Sequence, residues 1–250
     1  FLEKIFQSIN QQLLPSACIV CECHQQHSIC ESCLQTLKED GLFNYECCYQ
    51  CGISLNRSEL ETQRCNQCKM DPPHFDETYC LDRYEGALRN AIHQLKYQKR
   101  IAFAHGLAHA WNDILSEQHI NAEGNYLLPV PLSTEKLCVR GFNQSWELAR
   151  RIRCGSQIQK LPHALKRHHS IEQQAGSPLN MRQSKIRDTF FLDQNAIDLL
   201  QNKSVIVFDD VMTSGSTLDE IARILKDNGV SRVINWVLLR ATKPISESRL

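Results

Sequence analysis

Apolar side chains recur every three or four positions at three places along the chain. Phe1, Leu2, Ile5, Phe6, Ile9, Leu13 and Leu14 would line one side of an opening helix. Leu88, Ala91, Ile92 and Leu95 mark a second helix, and Phe103, Leu107, Ala110, Trp111, Ile114 and Leu115 a third. Elsewhere the pattern shortens to compact apolar runs. Tyr126-Leu-Leu-Pro-Val130 reads as a buried strand stopped by Pro129 and Pro131, because proline cannot donate to a sheet ladder. Ser204-Val-Ile-Val-Phe208 is a second such run, and Val233 to Leu239 a third. Between these last two, Thr217 to Asn228 has helical spacing and is closed by Gly229. Strand, helix, strand in that order is a βαβ crossover, which implies an α/β fold with a parallel sheet flanked by helices.

This pattern fails over the first third of the chain, where cysteine replaces it. All but Cys138 and Cys154 of the 13 cysteines lie between Cys18 and Cys80. Four C-x-x-C pairs stand in order: Cys18/Cys21, Cys30/Cys33, Cys48/Cys51 and Cys65/Cys68. A two-residue gap lets one tight turn present both sulfurs to a tetrahedral ion, so eight thiolates satisfy two structural zinc ions. Pairing neighbours gives one site from Cys18, Cys21, Cys30 and Cys33 and another from Cys48, Cys51, Cys65 and Cys68; spacing alone leaves an interleaved pairing open. His24, His27, Cys23 and Cys47 are further possible ligands that the count does not need. The expected role is to fold a segment too small and polar for its own core, with binding energy on the order of 10 kcal/mol. The turn Asp71-Pro-Pro73 precedes the change of pattern. The domain division expected is therefore 1–78 for the opening helix and double zinc ribbon and 79–250 for the α/β part.

Composition adds exclusions. At 250 residues and 42% hydrophobic content the chain can bury a core. Lys plus Arg equal Asp plus Glu at 28 each, so no global charge draws it to a polyanion. No apolar run reaches the roughly 18 to 20 residues of a bilayer helix, and no basic-then-apolar leader opens the sequence. Reduced cysteines in C-x-x-C pairs fit the same picture, and a soluble, cytoplasmic protein without membrane insertion is expected.

The segment Val205-Ile-Val-Phe-Asp-Asp-Val-Met-Thr-Ser-Gly-Ser-Thr217 carries the chemistry. It places Asp209 and Asp210 just past a buried strand, where ligands of parallel sheets bind, and follows them with a small-residue loop opening a helix. The hydroxyls of Thr213, Ser214, Ser216 and Thr217 and the freedom of Gly215 let backbone N–H groups close around a phosphate. Adjacent carboxylates repel unless a cation or a hydroxyl satisfies them, as ribose hydroxyls with Mg²⁺ nearby would. Neither G-x-x-x-x-G-K-[ST] nor G-x-G-x-x-G occurs anywhere.

That segment resembles the phosphoribosyl pyrophosphate (PRPP) signature of type I phosphoribosyltransferases. The chain as a whole resembles the ComF family of competence proteins, through the cysteine pairs, Tyr84-Glu-Gly86, Ile92-His-Gln-Leu-Lys-Tyr97, Pro129-Val-Pro-Leu132, Arg140-Gly-Phe-Asn-Gln144, Gln174 with Arg182, and the Asp-Asp loop. The resemblance implies a type I phosphoribosyltransferase-like sheet in which Asp209 and Asp210 hold the ribose hydroxyls of PRPP. Thr213, Ser214, Gly215, Ser216 and Thr217 would cradle its 5′-phosphate. The segment from Pro129 through Arg140 would stand at the diphosphate, with Arg140 and Lys96 as cations and Mg²⁺ as counter-ion. Arg167 to Arg187 resembles a loop that closes over such sites. Lys185 and Asp188 stand where the family pattern expects Asn and Gly, and Met212-Thr-Ser214 replaces a commoner Val/Thr-Thr-Thr.

The resemblance further implies a natural-transformation factor that binds PRPP and handles imported single-stranded DNA beside competence or recombination proteins, such as a helicase or recombinase loader. Two other readings stay open: an active phosphoribosyltransferase acting on a base or amine, and an adaptor that senses PRPP without turnover. His105 and His109, at i and i+4, lack a third ligand and read as flank positions of a helix. Lys166-Arg-His-His169 is a small basic cluster. Cys80, Cys138 and Cys154 read as packing residues, and Trp146 with Phe142, Ala149 and Ile152 as a core stripe.

Overall fold

A computed structural model describes residues 16–115, 124–168 and 189–241. The opening helix and most of the Arg167 to Arg187 loop, with Gln174, Arg182, Lys185 and Asp188, lie outside the described residues. The described residues begin with a small antiparallel pair, β1 (Ser16–Ala17) and β2 (His24–Gln25), then α1 (Glu31–Asp40) and the short α2 (Asn66–Met70). Next come β3 (Glu77–Arg83), α3 (Gly86–Tyr97), α4 (Ala102–Ile114), β4 (Tyr126–Pro129), α5 (Thr134–Arg140) and α6 (Gln144–Ala149). The rest runs β5 (Gln159–Lys160), β6 (Leu165–Arg167), β7 (Phe190–Leu192), α7 (Gln194–Leu200), β8 (Ser204–Met212), α8 (Ser216–Asp227) and β9 (Arg232–Arg240).

Five strands form one sheet in the order β3-β9-β8-β4-β5, with every neighbouring pair parallel. β6 and β7 make a separate antiparallel hairpin. Alternation along β8 and β9 sorts the core into two layers, as the period of two requires. Ile206, Phe208, Ile234 and Trp236 face α3 and α4, where Trp111 meets Phe208 edge-on at 5.8 Å and Trp236 at 5.7 Å. Val205, Val207, Val233 and Val237 face α8 through Leu218, Ile221 and Leu225. Each fully buried Leu, Ile or Phe contributes about 1.5–3 kcal/mol.

The two cysteine groups divide between these layers. Cys18, Ile19, Ile29 and Leu34 join the α3/α4 layer, whereas Cys48, Cys51, Cys65 and Cys68 join the α8 layer. Gly106 of α4 makes the first contact close: a Cβ there would lie 2.8 Å from Ile19 Cδ1. β3 starts at Glu77 and pairs from its first residue with Ile234 of β9, so the link between the cysteine segment and the sheet is itself a strand.

The structure moves some expected edges. β8 runs to Met212 instead of stopping at Phe208, because β9 is long enough to pair with it as far as Arg240. The acid pair therefore sits inside the last turn of a strand rather than beyond it. Cys80 is buried and Cys154 packs half-buried on the core, as expected, but Cys138 of α5 is exposed and fills no core position. Among the described residues no helix is long and apolar enough to cross a membrane.

Candidate functional site

Each cysteine group gathers its four sulfurs within 4.8 Å of one another, and the groups are Cys18/Cys21/Cys30/Cys33 and Cys48/Cys51/Cys65/Cys68. Neighbouring pairs thus share a site. A tetrahedral ion with sulfur at about 2.3 Å separates its ligands by about 3.8 Å. Cys21 and Cys30 sulfurs stand 3.7 Å apart and those of Cys51 and Cys65 3.6 Å, so both groups fit zinc. Cys30 and Cys65 also cap α1 and α2, accepting the N–H of Cys33 and Cys68 at 3.4 Å each. Burial works to raise the Cys18 pKa, but the N–H groups of Cys21, Cys30 and Val20 outweigh it and bring it to about 7.

At the carboxyl end of β8, consecutive strand positions send Asp209 and Asp210 to opposite sides. Asp210, 3% exposed, takes the Lys96 ammonium at 2.5 Å and the Gln144 side-chain amide at 3.4 Å. Asp209 accepts from the Ser145 hydroxyl at 3.0 Å and from the Asp210 N–H at 2.9 Å. The repulsion foreseen between neighbouring carboxylates is thus met by a cation and a hydroxyl of the protein itself. It is not abolished: burial and then the Asp210 charge push Asp209 up to about 8, against the pull of Lys96, the Asp210 N–H and Ser145. Arg140, at the end of α5, donates to Gln144 Oε1 and lies 5.9 Å from the Tyr97 ring centre. Arg140, Gln144, Asp210 and Lys96 form one continuous polar chain.

Past the acids, Thr213 and Ser214 are exposed and Gly215 turns the chain with φ +86° into α8. A side chain at Gly215 would be strained in this left-handed conformation, and its Cβ would come within 2.8 Å of Met212 Cε. The Ser214 and Ser216 hydroxyls pair at 2.9 Å and the Ser214 oxygen accepts the Ser216 N–H at 3.3 Å; the N-cap residue Gly215 has no side chain to cap with, which leaves the N–H groups after Ser216 in the first turn of α8 facing the loop. Thr213 to Thr217 therefore form a hydroxyl-lined helix entrance.

The anchor of this loop is a residue the sequence did not single out. Arg240, 6% exposed, donates to the carbonyls of Met212 at 3.0 Å, Thr213, and Ala241 at 2.7 Å, while its Nε donates to the Cys51 carbonyl at 2.7 Å. One guanidinium joins the loop to the second cysteine group. His74, just after that group, adds contacts to Asp219 in the first turn of α8, through its N–H at 2.6 Å and its ring at 3.0 Å. Gln144 and Ser145 were likewise missed as site residues. Their signal was the polar pair opening a short helix after Arg140, and that of Arg240 a charge ending a buried, mostly apolar strand.

A cavity of about 490 Å³ lies beside the site, between the segment after β4 and the β6–β7 hairpin, lined by Pro131, Leu132, Asn143, Trp146, His168 and Phe191. The cluster at 166–168 belongs to its wall: Lys166 pairs with Asp193 at 2.5 Å, and the His168 and Phe191 rings stack at 4.3 Å. His105 and His109, on α4, join no metal-sized cluster among the described residues.

Residues 147–249, which contain the acid pair and the loop, match the phosphoribosyl transferase domain family. The chain is 29% identical over 217 residues to "DNA utilization protein YhgH" of Escherichia coli (strain K12), covering 85% of this chain and 90% of that one. It is 27% identical over 220 residues to "Competence protein F" of Haemophilus influenzae, covering 86% and 92%. To "Competence protein ComFC" of Bacillus subtilis (strain 168) it is 24% identical over 251 residues, covering 90% and 95%.

Proposed function

We propose, from the premise that this chain is a ComF-type homologue of the competence and DNA-utilization proteins, that it binds PRPP at the end of β8 and uses that site in handling imported single-stranded DNA. The observation that carries the reading is the placement of two enclosed carboxylates beside a hydroxyl-lined helix entrance within one strand-turn-helix unit. In this reading Asp209 and Asp210 hold the ribose hydroxyls. Burial and the Asp210 charge push Asp209 toward its neutral form, in which it can donate as well as accept. Thr213 to Thr217 take the 5′-phosphate on the N–H groups of α8. Lys96 and Arg140, already fixed by Asp210 and Gln144, lie on the side assigned to the diphosphate.

Carboxylate oxygens suit Mg²⁺, whose contribution would be to offset the diphosphate charge. Both cysteine groups would hold zinc as closed structural sites, with no ligand position left for water. A cytoplasmic setting, with competence or recombination proteins as partners, follows from the same kinship.

Turnover is a second reading, favoured by the 490 Å³ cavity with Trp146, His168 and Phe191 on its wall, a surface on which a planar base can stack. In that reaction the acceptor nitrogen bonds to ribose C1 as the C1–O bond breaks and diphosphate leaves. Thermal melts with PRPP and Mg²⁺ test the first reading. A ligand at 100 times its Kd adds about 2.7 kcal/mol of stability, and Asp210→Asn should lose that gain. Equal stabilisation of both proteins contradicts it. Diphosphate release across a panel of nucleobases tests the second.

A further inference from the structure

A second cavity, of about 540 Å³, opens where the first cysteine module, α4 and the segment after α6 meet. From the module comes His27, from α4 His105, His109 and Asp113, and from the segment after α6 Arg151 and Arg153. His105, His109, Asn112 and Asp113 share one helix face by their spacing. The groove has a fixed floor: Asn112 donates to the Arg151 carbonyl at 3.1 Å and accepts the Arg153 N–H at 2.7 Å. Its acids are already spoken for. Asp113 pairs with Lys38 of α1 at 2.5 Å, and Glu147 is shared by Arg150 at 2.7 Å and Arg151 at 2.6 Å. Arg153 is exposed, and the Arg151 Nε is buried without a hydrogen-bond partner.

In a chain with no net charge this concentration of cations is local. The field is felt by His105, whose pKa is lowered first by burial and then by Arg151 and Arg150, with Glu147 opposing. Cations outnumber acids behind α6, where Arg150, Arg151 and Arg153 stand against Glu147; Lys38 balances Asp113 on the module side, and His27 and His109 line the groove beside them.

We infer that this groove is a binding site for the phosphodiester backbone of a single-stranded polynucleotide, separate from the phosphoribosyl site. The inference rests on the DNA-handling reading above and names the surface that would do it. Positive grooves track such backbones through phosphate contacts, each releasing counter-ions, so binding weakens steeply with salt. The groove lies at the far end of α6 from the acids. Ser145, near the start of α6, holds Asp209, and Arg151, two residues past its end, lines the groove.

Fluorescence anisotropy of a labelled oligothymidylate on the full chain tests this. Arg153→Glu should bind about tenfold more weakly, with a log–log salt slope shallower by about one, while Arg153→Lys stays near wild type. Because a bound phosphate raises the pKa of His105, wild-type affinity should rise as pH falls from about 7.5 to about 5.5. Unchanged melting and unchanged PRPP-dependent stabilisation show that Arg153→Glu is folded. If wild type binds the oligonucleotide and Arg153→Glu binds it equally, the groove assignment falls alone. If wild type binds none, the DNA-handling reading falls with it. Displacement of the oligonucleotide by inorganic diphosphate at equal phosphate concentration overturns the polymer assignment in favour of a small-anion site.

Discussion

The two cysteine modules use the same spacing of ligands to do different things. The first is partly exposed, lies on α4 through Ile19 against Gly106, and borders the basic groove. The second is buried at all four cysteines, shares a core with α8, and reaches the loop after β8 through Arg240. Ligand chemistry alone does not separate them. What differs is the backbone carbonyl that each offers to its neighbour: Cys51 gives its oxygen to a guanidinium that also holds Met212 and Thr213. A single buried side chain thus ties the second cysteine group to the loop after β8, and the first group has no such tie among the described contacts.

The largest effect expected is from breaking the second module. Cys48→Ser should release one zinc ion, lose folding energy on the order of several kcal/mol, and abolish PRPP-dependent stabilisation. Cys21→Ser, in the exposed group, should release one zinc ion yet leave that stabilisation measurable. Zinc content by mass spectrometry beside thermal melts reads both, and equal loss of PRPP response would erase the distinction. Arg240→Met sharpens it with both zinc ions kept. It removes the guanidinium from four carbonyls, of which Met212 keeps the Ala241 N–H, at about 1–3 kcal/mol for each left unsatisfied, and should cut PRPP affinity at least tenfold, with Arg240→Lys recovering part. Ile19→Ala, at the other module, should cost about 2–4 kcal/mol in chemical denaturation and leave PRPP affinity within twofold.

The smallest effect concerns pH. The Asp209 carboxyl rises from 3.8 to about 8 on folding, so the folded state favours its neutral form. Its contribution is complete below about pH 4 and is lost as pH rises toward 8. Asp209→Asn should therefore flatten the decline in melting temperature between pH 5 and pH 9. The change is about 1–2 kcal/mol once solvent screening of a partly buried group is allowed for, and neither zinc ion should move.

Local geometry was legible in the sequence. A C-x-x-C pair and the Asp-Asp-x-x-Thr-Ser-Gly run each complete their geometry within a few residues, so their spacing reports the sulfur groups and the strand-turn-helix unit that form. The central strands were legible because both of their faces are buried. Gln144 and Ser145 reach acids more than sixty positions away, and Arg240 meets Cys51 from 189 positions away. No local pattern encodes such meetings. The sharing of each ion by neighbouring pairs, the extension of β8 through the acids and the exposure of Cys138 likewise depend on what packs alongside.

Titration calorimetry of PRPP with Mg²⁺ into wild type and Asp210→Asn tests the central claim most directly. One saturable site per chain in wild type, weakened at least tenfold in Asp210→Asn with both zinc ions retained, is the predicted result. No heat of binding in wild type, or equal affinity in the two proteins, would contradict the assignment of the acid pair.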